Sequence, residues 1–165
     1  MNKSTLIFFL FFTSNLVYSQ SKSETLGWLS EYYEKYSTCG EAYCEIYVDD
    51  NNFLFLTRRT SISYEINKIN LKKIKRIVFK QEKIISTWSR IYLECDSEEY
   101  GEFGIGFYNN SPNIKPTDFM QLTFYNNFYT DKMHLRYLKA LLHLVKMSGG
   151  EAKIISNRKK SKEPF

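Results

Sequence analysis

The segment from Asp131 to Ser148 constrains the fold of this chain most strongly. At about 100° per residue, its apolar side chains cover about two-thirds of a helix circumference. Thr130 or Asp131 is the predicted N-cap, and Gly149-Gly150 is typical of a C-terminal stop. We therefore predict a long helix that packs on a sheet with one side and on another element with the other.

The narrow remaining strip of this helix is basic and contains no acidic side chain. We predict that this basic strip binds an acidic partner, either a protein or the head groups of an anionic membrane surface. Within it, the histidine is expected to be solvated. The strip consists of Lys132, Arg136, Lys139, His143 and Lys146.

Between residues 43 and 125, apolar and polar residues alternate in seven short segments, which indicates β-strands. Asp49-Asp50-Asn51-Asn52 is a turn signal that joins the first two strands in a hairpin. Gly104 and Gly106 lie on one face of the predicted sixth strand, and this bare face either lets a bulky partner approach closely or permits sharp bending. The predicted strands are 43–48, 53–57, 62–66, 76–80, 88–95, 103–108 and 119–125, and residues 109–117 form a loop.

A second amphipathic helix is predicted before the strands and ends near Tyr36. Ser21 with Glu24 forms a capping-box pattern, and Ser23 is an alternative cap. One face of the helix carries a tryptophan and three tyrosines, which either pack on the core or line a ligand groove. We favour core packing, because an aromatic stripe at helical spacing is typical of a buried face. The predicted class is α+β, with an antiparallel sheet or partly open barrel between two helices.

Residues 1–19 have the pattern of a cleavable signal peptide. Lys3 supplies a positive start, Leu6 to Phe12 form an uncharged apolar run, and Val17 and Ser19 precede the cleavage site. A membrane span needs about 20 apolar residues, and no second apolar run follows. We therefore expect an exported protein, periplasmic or secreted, with no transmembrane segment in the mature chain. An uncleaved N-terminal anchor is the alternative.

The mature chain is expected to be a single domain over residues 20–152, followed by a disordered basic tail over residues 153–165. A short extended segment over residues 152–155 is expected where the domain gives way to the tail. The tail holds five basic residues against Glu163, so it carries +4 of the net charge of +5. Lys3 accounts for the remaining charge, and the domain itself is neutral. The basic balance therefore does not indicate nucleic-acid binding, and we expect no nucleic-acid partner.

The three cysteines are Cys39, Cys44 and Cys95. An odd number in an oxidising compartment leaves at least one of them unpaired. Cys39 and Cys44 flank a short glycine-containing turn and can close a small disulfide loop. For an unpaired cysteine, a buried structural thiol is favoured over a catalytic one.

No motif in the sequence commits the chain to a chemical reaction. The two histidines, His134 and His143, are nine residues apart and point to opposite sides of the final helix, so they cannot share a metal ion. His134 lies within the apolar arc, where a hydrogen-bonded core histidine is favoured over a catalytic base. GxSxG, P-loop and clustered Cys/His patterns are absent from the sequence. We predict no catalytic residue, no metal and no cofactor.

Seven strands followed by one amphipathic helix form an order that resembles the pleckstrin-homology (PH-like) superfold. The resemblance covers residues 43–149 and implies a partly open barrel with the final helix across one end. The tryptophan that many members carry in this helix is absent here, and Tyr137 or Leu141 would take its place. The whole chain is also similar to small exported proteins of low-GC Gram-negative bacteria, which implies no particular activity.

These observations favour an exported, non-catalytic binding or interaction module. One alternative is a small periplasmic enzyme with a site near His134, Cys95 or the aromatic stripe. A structural component of the cell envelope is the other alternative. A superfold resemblance does not decide among the three, because one fold hosts many functions.

Overall fold

A computed structural model of the chain describes residues 20–40, 42–83, 87–107 and 112–156. Within these ranges it contains three α-helices, nine strands and two 3-10 turns, Leu71–Lys73 and Glu98–Tyr100. The helices are α1 (Lys22–Tyr36), α2 (Asn127–Thr130) and α3 (Met133–Met147). The strands are β1 (Tyr43–Val48), β2 (Phe53–Arg59), β3 (Ser63–Asn70), β4 (Arg76–Lys83), β5 (Thr87–Glu94), β6 (Gly101–Phe107), β7 (Asn113–Pro116), β8 (Phe119–Phe124) and β9 (Lys153–Ser156).

The strands form two sheets. Sheet 1 has the order β1-β2-β3-β6-β7 and is antiparallel throughout. Sheet 2 has the order β8-β5-β4-β9, in which β9 runs parallel to β4. Across the described residues the sheets do not close into a barrel. The predicted α+β class, with a helix before and a helix after the strand region, is confirmed.

The main core lies where α1 and α3 meet one face of sheet 2. On that face Ile91, Leu122 and Phe124 are fully buried. The Phe124 ring contacts Tyr33 of α1 and Tyr137 of α3, at centroid distances of 5.5 and 5.2 Å. Burying an apolar side chain of this size contributes about 1.5–3 kcal/mol through its transfer from water.

Helix α1 begins as predicted. The Ser21 hydroxyl accepts a hydrogen bond from the Glu24 N–H, and the Glu24 carboxylate accepts one from the Ser21 N–H. The aromatic face packs on the core: Tyr33 and Tyr36 are buried, and Trp28 is partly buried against the same cluster. Across this contact the Tyr137 hydroxyl donates to the Leu29 carbonyl at 3.0 Å, which satisfies a buried polar group.

Helix α3 begins at Met133, later than the predicted cap at Thr130 or Asp131. Two contacts explain the difference. Residues as far as Thr130 belong to the preceding helix α2, and the Asp131 carboxylate accepts a hydrogen bond from the Tyr36 hydroxyl at 3.0 Å. The C-terminal stop is as expected. Gly149 adopts a positive φ of 83°, and the Gly150 N–H donates to the Val145 carbonyl at 2.9 Å, as in a Schellman motif.

Two strands lie in segments that were assigned to a loop and to the tail. Asn113–Pro116, within the predicted loop, forms β7 and pairs with β6 at the edge of sheet 1, where a proline costs no ladder hydrogen bond. Lys153–Ser156, assigned to the disordered tail, forms β9 and pairs with β4. The extended segment expected near residues 152–155 is therefore part of sheet 2. Residues 157–165 lie outside the described residues.

The predictions for the N-terminus and for the cysteines have different outcomes. The proposed signal peptide, residues 1–19, lies outside the described residues. Cys39 and Cys44 form a disulfide with an S–S distance of 2.02 Å, and Cys95 is a buried free thiol. Within the described part of the chain, no helix has both the length and the apolar character to cross a membrane.

Candidate functional site

A cleft of about 550 Å³ opens between the two sheets. Both sheets, the C-terminal part of α1 and the segment that follows it contribute side chains. We call this cavity the inter-sheet cleft. Its lining consists of Tyr33, Thr38, Cys39, Leu56, Arg58, Glu65, Asn67, Trp88, Phe103, Lys115, Pro116, Thr117, Phe119, Gln121 and Thr123.

The inner face of sheet 1 changes from apolar to polar along its strands, and this change creates the cleft. Residues i, i+2 and i+4 of a strand share one face, so Leu54, Leu56 and Arg58 of β2 point the same way. Leu54 is paired with Ile69, and both are buried. Four pairs further along the ladder, on the same face, Arg58 is opposite Glu65. Charged side chains cannot be buried without partners, so the space between the sheets stays open at this end.

Sheet 2 supplies the opposite wall. Its strand β8 alternates strictly: Met120, Leu122 and Phe124 are buried, while the residues between them line the cleft. Two of these residues form a polar pair, since the Gln121 amide donates to the Thr123 hydroxyl at 2.9 Å. The aromatic part of the wall comes from Trp88 and Phe119, and Phe103 faces it from β6 of sheet 1.

The charges of the cleft are two cations and one carboxylate. A guanidinium nitrogen of Arg58 lies 3.7 Å from a Glu65 carboxylate oxygen, and both side chains are more than a third exposed. The Nε of Arg58 is buried and has no hydrogen-bond partner among the described residues. Lys115 is exposed. Burial raises the pKa of the Tyr33 phenol well above its ordinary value, with Arg58 opposing and Glu65 adding to the rise, so this wall stays neutral.

The basic strip predicted from the sequence lies on α3, with Lys132 at the N-cap position just before the helix, and it is separate from the cleft. Lys132, Arg136, Lys139 and Lys146 are exposed, as expected for solvated cations. His143 is only half-exposed, and its Nε2 lies 3.3 Å from the Gln20 carbonyl oxygen. None of the five lines the cleft, so the structure keeps the two cationic regions apart.

The residues considered for catalysis occupy structural positions. The His134 ring packs against the rings of Phe79 and Tyr129, at centroid distances of 4.8 and 4.7 Å, and it does not line the cleft. Burial raises the pKa of the Cys95 thiol to about 11, with Asp96 and Asp118 adding to the rise and Lys75 opposing it. A thiol with this pKa is protonated at neutral pH and is a poor nucleophile.

Sequence reasoning missed the cleft residues. Arg58, Glu65 and Asn67 each continue the inward parity of an apolar strand, and a charge at such a position was the signal available. Trp88 and Gln121 carried no signal, because their face of sheet 2 is defined only by the strands that pair with them. Among the described residues, no cluster of three or more His, Cys, Asp or Glu side chains is arranged to hold a metal ion.

Comparisons with protein-family models, curated proteins and solved structures found no significant match to this chain. The inter-sheet cleft and the basic strip are therefore the two features from which a function is inferred.

Proposed function

We propose that this protein is a non-catalytic binding module that holds a small amphipathic anion in the inter-sheet cleft. One observation carries the proposal: aromatic walls from both sheets converge with Arg58 in one cavity of about 550 Å³. Ligand sites typically enclose about 300–1,000 Å³, with mostly apolar walls and a few placed polar groups. The sequence-based prediction of an acidic partner agrees with this charge, although it named a different surface.

The lining specifies the ligand class. Trp88, Phe103 and Phe119 offer flat apolar surface, which favours an aromatic or acyl body. Two cations against one carboxylate favour an anionic group on the ligand. A guanidinium binds carboxylate or phosphate oxygens through two parallel hydrogen bonds, so Arg58 is the expected contact.

The same lining supports binding rather than catalysis. Among its described residues there is no serine and no histidine, and Cys39 is held in a disulfide. The Tyr33 phenol is kept neutral by burial. A nucleophile needs a neighbouring base within hydrogen-bond reach, and these side chains do not provide such a pair. An enzyme with a site at His134 is the less favoured alternative, because that ring packs against Phe79 and Tyr129 and does not line the cleft.

The test uses tryptophan fluorescence from the cleft wall. The chain has two tryptophans, so Trp28→Phe leaves Trp88 as the sole reporter. We expect 4-phenylbutyrate to change its emission, and to bind roughly 10-fold more tightly than the uncharged 4-phenylbutan-1-ol. In the same background, Arg58→Gln should abolish this preference for the anion.

Strand β2 provides a matched control. Arg59 follows Arg58 directly but lies on the opposite face of sheet 1, so Arg59→Gln removes an equal charge outside the cleft. It should leave the preference for the anion unchanged. Equal binding of the acid and the alcohol, or no response to either at millimolar concentration, would contradict the proposal.

The basic strip supports a second candidate function, binding to an anionic membrane surface. Its four exposed cations have no carboxylate within ion-pair distance among the described residues. Leu135, half-exposed at 50%, lies beside them on α3. Cations next to an exposed apolar side chain are typical of helices that lie on lipid head groups.

Vesicle sedimentation tests this second candidate. Combined replacement of Lys132, Arg136 and Lys139 by glutamine should weaken binding to phosphatidylglycerol vesicles at low salt, and 1 M salt should weaken binding of the unmodified protein. Truncation of the basic tail should begin after Ser156, because an earlier end removes β9. Unchanged sedimentation of the triple variant would exclude the strip as a membrane contact.

We also propose that the protein acts after export, in an oxidising compartment. The charged start and apolar run of residues 1–19 support this, and so does the disulfide, since disulfides persist mainly outside reducing cytoplasm. Mass spectrometry of the mature N-terminus tests it, with Gln20 as the expected first residue. The PH-like resemblance stays a prediction, and a binding role is the one it implies. A structural envelope component would instead show a stable protein partner and no small ligand.

A further inference from the structure

The outer face of sheet 1 contains a second cavity of about 410 Å³, on the side of the sheet opposite the inter-sheet cleft. We call it the outer groove. Its floor is the cross-strand pair Thr57 and Ile66, in the middle of strands β2 and β3. Tyr47 borders one side of the floor, and Arg59 with Tyr64 borders the other.

The floor of the outer groove holds a polar atom without a partner. Thr57 is only 5% exposed, and its hydroxyl is buried with no hydrogen-bond partner among the described residues. A buried hydroxyl without a partner is unfavourable, because it has lost its hydrogen bonds to water. A ligand in the groove that donates to or accepts from this hydroxyl would remove the cost.

The sides of the groove are aromatic and held in place. The Tyr47 ring is stacked on Phe55 at 4.7 Å, with only 3° between the ring planes. Tyr64 occupies the space that a side chain at Gly106 would need, since a Cβ there would lie 2.5 Å from its ring. The Tyr64 ring therefore fills the space left by the missing side chain at Gly106, and this contact fixes the ring beside the groove.

The groove lies in the middle of the sheet, and this limits its ligand. Strand β2 is paired with β1 and β3, and β3 is paired with β2 and β6, so neither strand of the groove floor has an edge free to add a peptide strand. Recognition must use side chains: two tyrosines, hydroxyls and charges of both signs. Arg59 borders the groove, and Glu45 of β1 is opposite Thr57 on the same face of the sheet.

We propose that the outer groove binds a neutral saccharide. A sugar ring presents C–H groups on its faces, which pack on the electron-rich faces of aromatic rings. Its hydroxyls both donate and accept, so they match a threonine hydroxyl, a guanidinium and a carboxylate together. The mixed charge favours a neutral sugar over an acidic one, and the shallow open site favours an oligomer over a monosaccharide. This site is independent of the inter-sheet cleft.

The full chain is titrated with cellotriose and with N-acetylchitotriose, and binding is measured from the changes in its ¹⁵N-resolved NMR chemical shifts. A galacturonate trimer is the charged comparison. We expect binding of at least one neutral trimer in the millimolar range or better, with shifts on β2 and β3. Tyr64→Ala should weaken binding roughly 10-fold through loss of one stacking surface. Thr57→Val should weaken it by a similar factor while leaving the melting temperature unchanged or raised, because the lost hydroxyl had no partner.

Three controls separate this site from general effects and from the cleft. Thr25→Val removes an equally buried hydroxyl without a partner in α1, and Tyr125→Ala removes an exposed ring outside the groove. Arg58→Gln alters the cleft alone, so saccharide binding should survive it. No shift on β2 or β3 with either neutral trimer at 10 mM overturns the proposal, and so does tighter binding of the galacturonate trimer.

Discussion

The inner face of sheet 1 has two ends that behave differently, although the same strands run through both. At the packed end, Leu54 and Ile69 are paired and buried beneath the rest of the core. At the open end, Arg58 and Glu65 are paired across the same two strands and line the inter-sheet cleft. One register therefore produces both a core and a site, and the only change is side-chain chemistry at alternate positions.

The difference shows how stability and binding are separated in this protein. The packed end excludes water and contributes hydrophobic free energy, so substitutions there act on folding. The open end keeps charged groups at the surface, where an ion pair contributes little to folding. Four substitutions or changes of condition test this division, and each should affect one end more than the other.

The largest effect is expected at the packed end. Ile69→Ala removes a fully buried side chain from the ladder position next to the core and should lower the unfolding free energy by about 2–5 kcal/mol. Urea denaturation measures the loss. Trp88 fluorescence should still report binding of 4-phenylbutyrate in the fraction that remains folded. A loss below about 1 kcal/mol would show that this end is not packed as described.

Alkaline pH should lower the unfolding free energy, because it favours ionisation of the buried Cys95 thiol. Burial raises the pKa of Cys95 from an ordinary value of 9.0 to about 11, so its stabilising contribution is complete below pH 9 and is lost as the pH rises to 11. The loss is on the order of 2 kcal/mol. Buried Tyr33 and Tyr137 add to the loss at higher pH, since their pKa values are also raised. The unfolding free energy of Cys95→Ala should fall less steeply with rising pH, by the amount that the thiol contributes. Identical pH profiles for the variant and the unmodified protein would contradict a raised pKa at Cys95.

Removal of the disulfide should act beside the open end. Cys39 lines the cleft and is cross-linked to Cys44. Replacing both by serine should lower the unfolding free energy by roughly 2 kcal/mol, because the unfolded chain gains entropy when the small loop is no longer closed. Urea denaturation of the variant and of the oxidised protein measures it. Binding of 4-phenylbutyrate by the folded variant should weaken, because one edge of the cleft loses its cross-link. Unchanged stability and unchanged binding would contradict a role for the disulfide at this edge.

The smallest effect on folding is expected from Arg58→Met. The ion pair with Glu65 is more than a third exposed and solvent-screened, so the unfolding free energy should change by less than about 1 kcal/mol in either direction. The same variant should lose the preference for the anion described above. A loss of unfolding free energy as large as that of Ile69→Ala would show that the open end is part of the packed core.

Local patterns carried much of the fold. The capping box at Ser21, the turn at Asp49 to Asn52 and the stop at Gly149 depend on neighbours within a few residues, and each lies where it was predicted. The Asp49 carboxylate accepts from the Asn51 and Phe53 N–H groups, which is the turn chemistry that its sequence favours. The buried aromatic face of α1 followed from periodicity in the same way.

Three features depended on distant partners and were not predicted. Lys153–Ser156 is a strand because β4 offers it a parallel edge, and Asn113–Pro116 is one because β6 does. The start of α3 moved because Tyr36, far away in sequence, takes the Asp131 carboxylate. Backbone pairing and hydrogen bonds of this kind are decided by whichever groups meet in space, and a short sequence window does not contain them.

The sequence by itself determined the α+β class and both long helices, since helical periods and caps are local properties. Only the tertiary structure decided that β3 pairs with β6 while β4 and β5 join a second sheet. That choice spaces the sheets so that Arg58 and Trp88 line one cavity. The physical reason is that the burial of the whole core selects strand partners, and a cleft is the region this burial leaves unfilled.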